Sequence, residues 1–169
     1  MSPNPFAWPF RSQFLLGLLC CLGLLGYALY VQYQQFLEPC PLCIFQRVAF
    51  FAAAAVFLLG LLHNPGRAGR RVYGILAALA ALIGAGIAGR HVWLQSLPPD
   101  QVPACGPGLE YMLDAFPLSK VLSMVFTGSG ECANVDWTFL GLSMPAWTLA
   151  WFIALAVLAL WAGFRPRTT

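Results

Sequence analysis

Apolar positions along the chain gather into four long blocks, approximately Phe14 to Val31, Ile44 to Leu62, Val72 to Leu94 and Ala146 to Phe164. Each is long enough to cross the hydrocarbon of a bilayer, which takes roughly 17–25 apolar residues. In lipid a chain must satisfy its own backbone polar groups, so such blocks predict helices. The expected fold class is therefore an all-α membrane protein with four transmembrane helices. Four spans use up most of the chain, so residues 1–169 read as a single integral membrane domain. The first block follows Arg11, as a secretion signal would. It is too long for a signal's apolar region of ~7–15 residues, and no small-x-small cleavage pattern follows. Tyr30, Gln32, Tyr33 and Gln34 continue it as an aromatic and polar belt suited to the membrane interface, which predicts an uncleaved helix.

Two loops lie on one side of these spans. The short one, about Gln34 to Pro41, leads into Glu38-Pro39-Cys40-Pro41-Leu42-Cys43 at the start of the second span. The long one runs from Gln95 to about Met144 and holds Cys105 and Cys132. Its opening is broken by Leu97-Pro98-Pro99 and by Pro103-Ala104-Cys105-Gly106-Pro107-Gly108, where Pro and Gly disfavour regular structure. Further on, Leu118, Val121, Leu122 and Val125 recur at helical spacing with Ser119 and Lys120 between them. That pattern predicts a short amphipathic helix on the membrane surface, the alternative being a segment tucked against the top of the spans. In the third span Ala77, Ala81, Ala85 and Gly89 form a small-residue face for close helix packing.

Composition sharpens the picture. The chain is 60% hydrophobic and only 9% charged, against about 25% charged in soluble domains. As a soluble protein it would expose large sticky patches. The net charge of +3 matters less than its placement. Arg11, Arg67, Arg70, Arg71, Arg165 and Arg167 all fall on one side of a four-span chain, and the acids Glu38, Asp100, Glu110, Asp114, Glu131 and Asp136 on the other. Positive charge marks the cytoplasmic side, so both termini are expected there, with the cysteine-bearing loops outside. The lipid bilayer is the implied partner of this charge pattern, and nucleic acid is not.

The six cysteines divide by depth. Cys20 and Cys21 sit inside the first span, where a thiol behaves as a small apolar residue. Cys40, Cys43, Cys105 and Cys132 lie on the outer side, which in a bacterium is the oxidising periplasm where disulfides persist. Inert disulfides stapling the loops are one reading. The Cys40-Pro41-Leu42-Cys43 motif favours another, because Cys-x-x-Cys is the usual redox-active arrangement. Cys43 is also expected at a helix N-terminus, whose partial positive charge favours thiolate. Arg47 stands one turn deeper on the same face, inside the apolar run, where ionisable residues are rare and generally functional. It could steady a Cys43 thiolate and donate to an acceptor oxygen in the lipid, or simply snorkel. Gln46 is a second candidate donor. Arg90 and His91 stand at the matching depth of the third span, and the imidazole can shuttle a proton near neutral pH. An all-thiolate metal site would need Cys40, Cys43, Cys105 and Cys132, but a single Cys-x-x-Cys with two isolated cysteines is a poor metal pattern, and none is expected.

Taken together, four spans, Cys-Pro-Leu-Cys at the start of the second, an arginine four residues on and a separated cysteine pair in a long second loop resemble the DsbB family. These are the quinone-dependent oxidoreductases of the bacterial inner membrane that reoxidise a periplasmic DsbA-type thiol oxidase. The resemblance implies a four-helix bundle that binds ubiquinone or menaquinone from the membrane pool near Cys43, Arg47 and His91, with Gln46 as a further contact. It also implies a Cys105–Cys132 disulfide attacked by the partner's thiolate, then attack of Cys132 on Cys40 and departure of Cys43 as the electron donor. DsbA-type partners are strong oxidants near ~−120 mV, and thiols rarely reach higher, so a quinone acceptor fits. The vitamin K epoxide reductase family is a related quinone-linked bundle, but there the loop cysteines precede the Cys-x-x-Cys, the reverse of the order here.

Overall fold

The computed structural model describes residues 8–36, 39–98, 100–104, 109–128, 130–135 and 137–165. Its frame is four long helices, α1 (Phe10–Gln35), α2 (Pro41–His63), α3 (Arg67–Gln95) and α6 (Met144–Phe164). Between α3 and α6 lie α4 (Leu109–Ala115), α5 (Leu118–Thr127), a 3-10 turn at Gly130–Ala133 and a hairpin of β1 (Thr138–Phe139) with β2 (Leu142–Ser143). Every apolar block expected from the sequence falls inside one of the long helices. Each helix outruns its block, because hydrogen bonding continues into the polar interface while the apolar run records only the hydrocarbon.

The long helices close into a ring in which α1 and α3 each pack on both α2 and α6. On α2, Leu42, Gln46, Ala49, Phe50, Ala53, Phe57 and Gly60 are buried, one stripe at helical spacing. Val48, Phe51, Leu58, Leu59 and Leu62 are exposed on the opposite side. Large apolar side chains on the outside are what a lipid-facing surface requires, and all four helices are long and apolar enough to cross a membrane. This is an all-α, four-helix, multi-pass membrane protein.

Its tightest seam joins α3 to α6. The expected small face contributes Ala77 and Ala81, both fully buried. Closest approach, however, comes at Gly74, where an added Cβ would stand 2.8 Å from the Ala159 carbonyl oxygen and 2.9 Å from Gly163 Cα. A Cβ on Gly89 would meet nothing within 4 Å. The stripe is therefore rotated and begins a turn earlier than expected.

The two ends of the ring differ. At one, Arg165 donates to the Trp8 carbonyl and the Arg70 guanidinium lies 5.2 Å from the centre of the Phe10 ring. At the other, α5 buries Val121 and Val125 against Leu42, Leu94, Met112 and Cys132, while Leu118 and Phe126 stay exposed. So α5 is amphipathic as expected, but half of its apolar face is tucked against the bundle and only the rest is left for lipid. Arg90 fastens its C-terminus, donating to the carbonyls of Phe126 and Thr127, each at 3.0 Å. Such carbonyls have no partner within their own helix. The same guanidinium sits 4.1 Å from the centre of the Trp93 ring, which gives Arg90 a structural task.

A Gly163→Val change would drive a side chain toward the Arg70 carbonyl, where even a Cβ would stand at 2.9 Å. Overpacking of this kind costs about 1–3 kcal/mol or more. Thermal unfolding in detergent should show a drop of several degrees for Gly163→Val and none for Gly86→Ala, whose Cβ has open space around it. Equal melting of the two variants would refute the tight seam.

Candidate functional site

Two prolines set the site's geometry. Pro41 forces the residue before it out of the helical region, and Cys40 accordingly is extended at φ −63° and ψ 160°. Pro41 then serves as the first helical residue, where its missing N–H is no loss. The Cys40 carbonyl accepts from the Ile44 amide at 3.2 Å, starting the α2 ladder. Cys40 is thus the N-cap of α2 and Cys43 stands in its first turn, with the two sulfurs 3.2 Å apart as thiols. The expected helix N-terminus at Cys43 is present.

Cys132 comes to this pair from far along the chain. It is buried in the 3-10 turn, and its sulfur, Cys40 Sγ and a ring nitrogen of His91 all lie within 4.8 Å of one another. Two contacts hold the segment in place. Gly130 N–H donates to the Ala104 carbonyl at 3.3 Å, which sets the residue before Cys105 beside the turn that carries Cys132. Gln95, the last residue of α3, donates from Nε2 to the Asn134 carbonyl at 3.3 Å and accepts from the Ser143 hydroxyl at 2.7 Å. Cys105 itself lies outside the described residues, so its pairing with Cys132 is known only as an expectation.

His91 is buried, with Nε2 3.8 Å from Cys40 Sγ. Its other nitrogen, Nδ1, is 3.0 Å from the side-chain amide of Gln46, and the Gln46 amide in turn meets the Thr148 hydroxyl at 2.7 Å. The Thr148 hydroxyl also reaches the Pro145 carbonyl at 2.9 Å and has one proton to give. Two complete bonding patterns follow. If the hydroxyl donates to Gln46 Oε1, the amide N–H meets Nδ1 and the His91 proton sits on Nε2, facing sulfur. If it donates to Pro145, the Gln46 amide turns over, its N–H meets the Thr148 oxygen, Oε1 accepts from Nδ1–H, and the Nε2 lone pair faces sulfur. The two differ by a 180° turn of the Gln46 amide, which exchanges Oε1 and Nε2, a turn of the Thr148 hydroxyl and the move of the His91 proton from one ring nitrogen to the other.

Arg47 extends away from the thiols. Its Nη1 donates to Gln32 Oε1, and its Nη2 to the Ala28 carbonyl at 3.2 Å, both on α1. Arg47, Cys40, Cys43, Gln46 and His91 all line one cavity of about 850 Å³, walled by α1, α2, α3 and α6. Leu25, Val31 and Phe50 supply apolar wall. The structure thus gathers Cys40, Cys43, Cys132, Gln46, His91 and Arg47 at one end of the bundle. Thr148 is absent from the sequence reading, where Gln32 figures only in the interfacial belt and Gln95 only as the start of the long loop, none of them as a site residue. Thr148 carried a faint signal, a hydroxyl one turn into an otherwise apolar span. Gln95 carried none.

A family model described as disulfide bond formation protein DsbB matches residues 10–162. A relative from Xanthomonas euvesicatoria pv. vesicatoria, named disulfide bond formation protein B, is 57% identical over 97% of this chain and 96% of its own length. Relatives of the same name from Nitrosococcus oceani and Hahella chejuensis are each 58% identical, the first over 89% of both chains, the second over 93% of this chain and 96% of its own. Their matched lengths take in the long helices and both cysteine-bearing loops alike, and the chain belongs to the DsbB family of disulfide bond formation proteins.

Proposed function

We propose that this protein reoxidises a DsbA-like periplasmic thiol oxidase and passes the electrons to ubiquinone or menaquinone in the bacterial inner membrane. The observation that carries the reading is the junction of Cys132 with Cys40 beside His91, at the edge of the cavity that also holds Cys43 and Arg47. A loop thiol and a Cys-x-x-Cys pair in contact form a path for disulfide exchange, whereas inert staples need no such meeting. The termini are assigned to the cytoplasm and the cysteine loops to the periplasm, because the arginine-rich bundle end is the one the positive-inside rule keeps inside.

The cavity suits a quinone. Ligand sites are mostly apolar with a few convergent polar groups, and here the donors are the Arg47 guanidinium and the Gln46 and His91 side chains, with Cys43 in the same wall. A bound quinone supplies an acceptor for two electrons and two protons. Everything else falls to the protein. A partner thiolate attacks Cys105 of a Cys105–Cys132 disulfide, joining partner to Cys105 and freeing the Cys132 thiolate. Cys132 attacks Cys40 Sγ, the Cys40–Cys43 bond breaks and Cys43 leaves as thiolate at the α2 N-terminus. The second partner thiol then displaces Cys105. Cys105 then attacks Cys132, restoring the Cys105–Cys132 bond and releasing Cys40. The Cys40–Cys43 bond re-forms as two electrons and two protons pass to the acceptor, so that in sum one dithiol becomes a disulfide. His91, with Nε2 facing Cys40, can take or return the proton of that sulfur during exchange.

Three outcomes are expected when quinol formation is followed optically with a reduced DsbA-type partner. Serine at Cys40, Cys43, Cys105 or Cys132 abolishes turnover, while Cys20→Ala and Cys21→Ala leave it intact; a working Cys43→Ser enzyme would return the cysteines to a stapling role. Arg47→Ala raises the quinone KM about tenfold, as loss of a charge-assisted hydrogen bond of about 1.5 kcal/mol implies. Gln32→Ala, which cuts only the tie to α1, has a smaller effect, and equal effects would make Arg47 a strut. His91→Ala slows thiol–disulfide exchange by about 100-fold, the size of effect a lost proton-transfer group gives; an unchanged rate would confine His91 to packing.

A further inference from the structure

The relay's junction has a donor set that metal chemistry would recognise. Cys40 Sγ, Cys132 Sγ and a ring nitrogen of His91 converge within 4.8 Å of one another, and both Cys132 and His91 are buried. A zinc ion bound at about 2.3 Å to sulfur and about 2.0 Å to nitrogen holds its donors roughly 3.5–3.8 Å apart. Cys40 Sγ and His91 Nε2 already stand at 3.8 Å. The remaining donor pairs, within 4.8 Å, need close by about 1.3 Å at most. The surroundings are also those of a ligand histidine. Metal-bound imidazoles commonly give their second N–H to an acceptor that fixes the ring, and Gln46, backed by Thr148, stands 3.0 Å from His91 Nδ1. With the Gln46 amide turned so that its oxygen accepts from Nδ1–H, Nε2 offers its lone pair to the space between the sulfurs.

We propose that the fully reduced protein binds one zinc ion through Cys40, Cys132 and His91, with water in the fourth position, and that zinc thereby arrests the relay in its reduced state. A Cys2His set with an open position is an established zinc arrangement. Binding converts two thiols to thiolates and releases their two protons, so no oxidant or reductant is consumed and affinity rises with pH. Metal and disulfide compete for the same atoms. When Cys40 is bonded to Cys43, or Cys132 to Cys105, a ligand is missing and the site does not exist. Zinc held between Cys40 and Cys132 keeps the two sulfurs from bonding to each other, and so halts exchange without leaving a covalent mark. The inhibitory consequence rests on the relay proposed above; the binding itself does not.

The test uses the purified full-length protein in detergent, reduced with a phosphine that does not chelate zinc, and needs neither partner nor quinone. Cobalt(II) serves as the optical probe and zinc as its competitor. Reduced protein should take up one cobalt per chain with thiolate charge-transfer and tetrahedral d–d absorption, which zinc then erases. Oxidised protein should take up none. Cys132→Ser and Cys40→Ser should lose the spectrum, whereas Cys105→Ser should keep it, which separates this set from an all-thiolate one. Gln46→Leu should retain the spectrum with affinity lowered about 10–100-fold, as for loss of an outer-shell partner. Absence of the bands in reduced protein, their persistence in Cys132→Ser, or their loss in Cys105→Ser would overturn the proposal. A relay that fails while cobalt binds as described would instead remove only the function proposed above.

Discussion

A helix entering lipid must close its own hydrogen bonds, and that constraint decides where chemistry can sit in this protein. Within the spans the backbone is committed to helix, so a thiol that is to meet a loop segment stands at a span's end. Cys40 occupies that place on α2. Its carbonyl opens the ladder while the residue itself remains extended, pinned by Pro41. Cys43, three residues on, is the last position from which a side chain still shares the helix end yet faces the cavity walled by α1 and α6. One sulfur is thereby presented outward to a loop and the other inward to the membrane side. A pair with both sulfurs deeper would be shielded from the loop, and a pair with both sulfurs farther out would lose the cavity.

The outer half of the molecule serves to keep Cys132 at that helix start. Its segment is short and has little regular structure, so it is held by contacts from the ends of the spans. Gln95 bridges the Asn134 carbonyl and Ser143, tying the turn after Cys132 to the start of α6. Arg90 anchors the end of α5, whose Val121 and Val125 share a buried cluster with Cys132. On the far side of the hairpin, Trp147 donates to the Phe139 carbonyl at 3.0 Å and fixes β1 to α6. Each contact joins a rigid span to a loop segment. The position of the loop segment is thereby inherited from the helices.

What the sequence revealed followed from physical signals that are local. Apolar runs announce spans, Cys-x-x-Cys announces redox chemistry, and Pro41 announces a helix start, because each depends on neighbouring residues alone. Helical spacing likewise marked α5, but spacing could not say how its apolar face would be divided between bundle and lipid; Leu118 shares the repeat with Val121 and yet stays exposed. Arg47 was recognised as unusual for its depth, while its bonds to Gln32 and Ala28 depend on how α1 lies against α2. The same is true of Gln95 and Thr148, whose importance comes from partners about fifty and a hundred residues away. The rotation of the small-residue face toward Gly74 has the same origin, since only the approach of α6 selects among several runs of small side chains.

The neutrality of Gln46 has a bearing on the chemistry. A carboxylate beside His91 Nδ1 would accept only, fixing the proton on Nδ1 and favouring the imidazolium in a poorly solvated site. An amide presents a donor or an acceptor at similar cost, and Thr148 can match either because its hydroxyl has Pro145 as a second acceptor. Nε2 can therefore face Cys40 as a base when that sulfur must become a thiolate, and as an acid when the thiolate must be quenched. Both tautomers of His91 thus find a complete set of partners in a buried chain of three side chains that carries no carboxylate. For the thiol relay proposed through Cys40, with proton transfer in both directions, a reversible amide is better matched than a fixed charge would be.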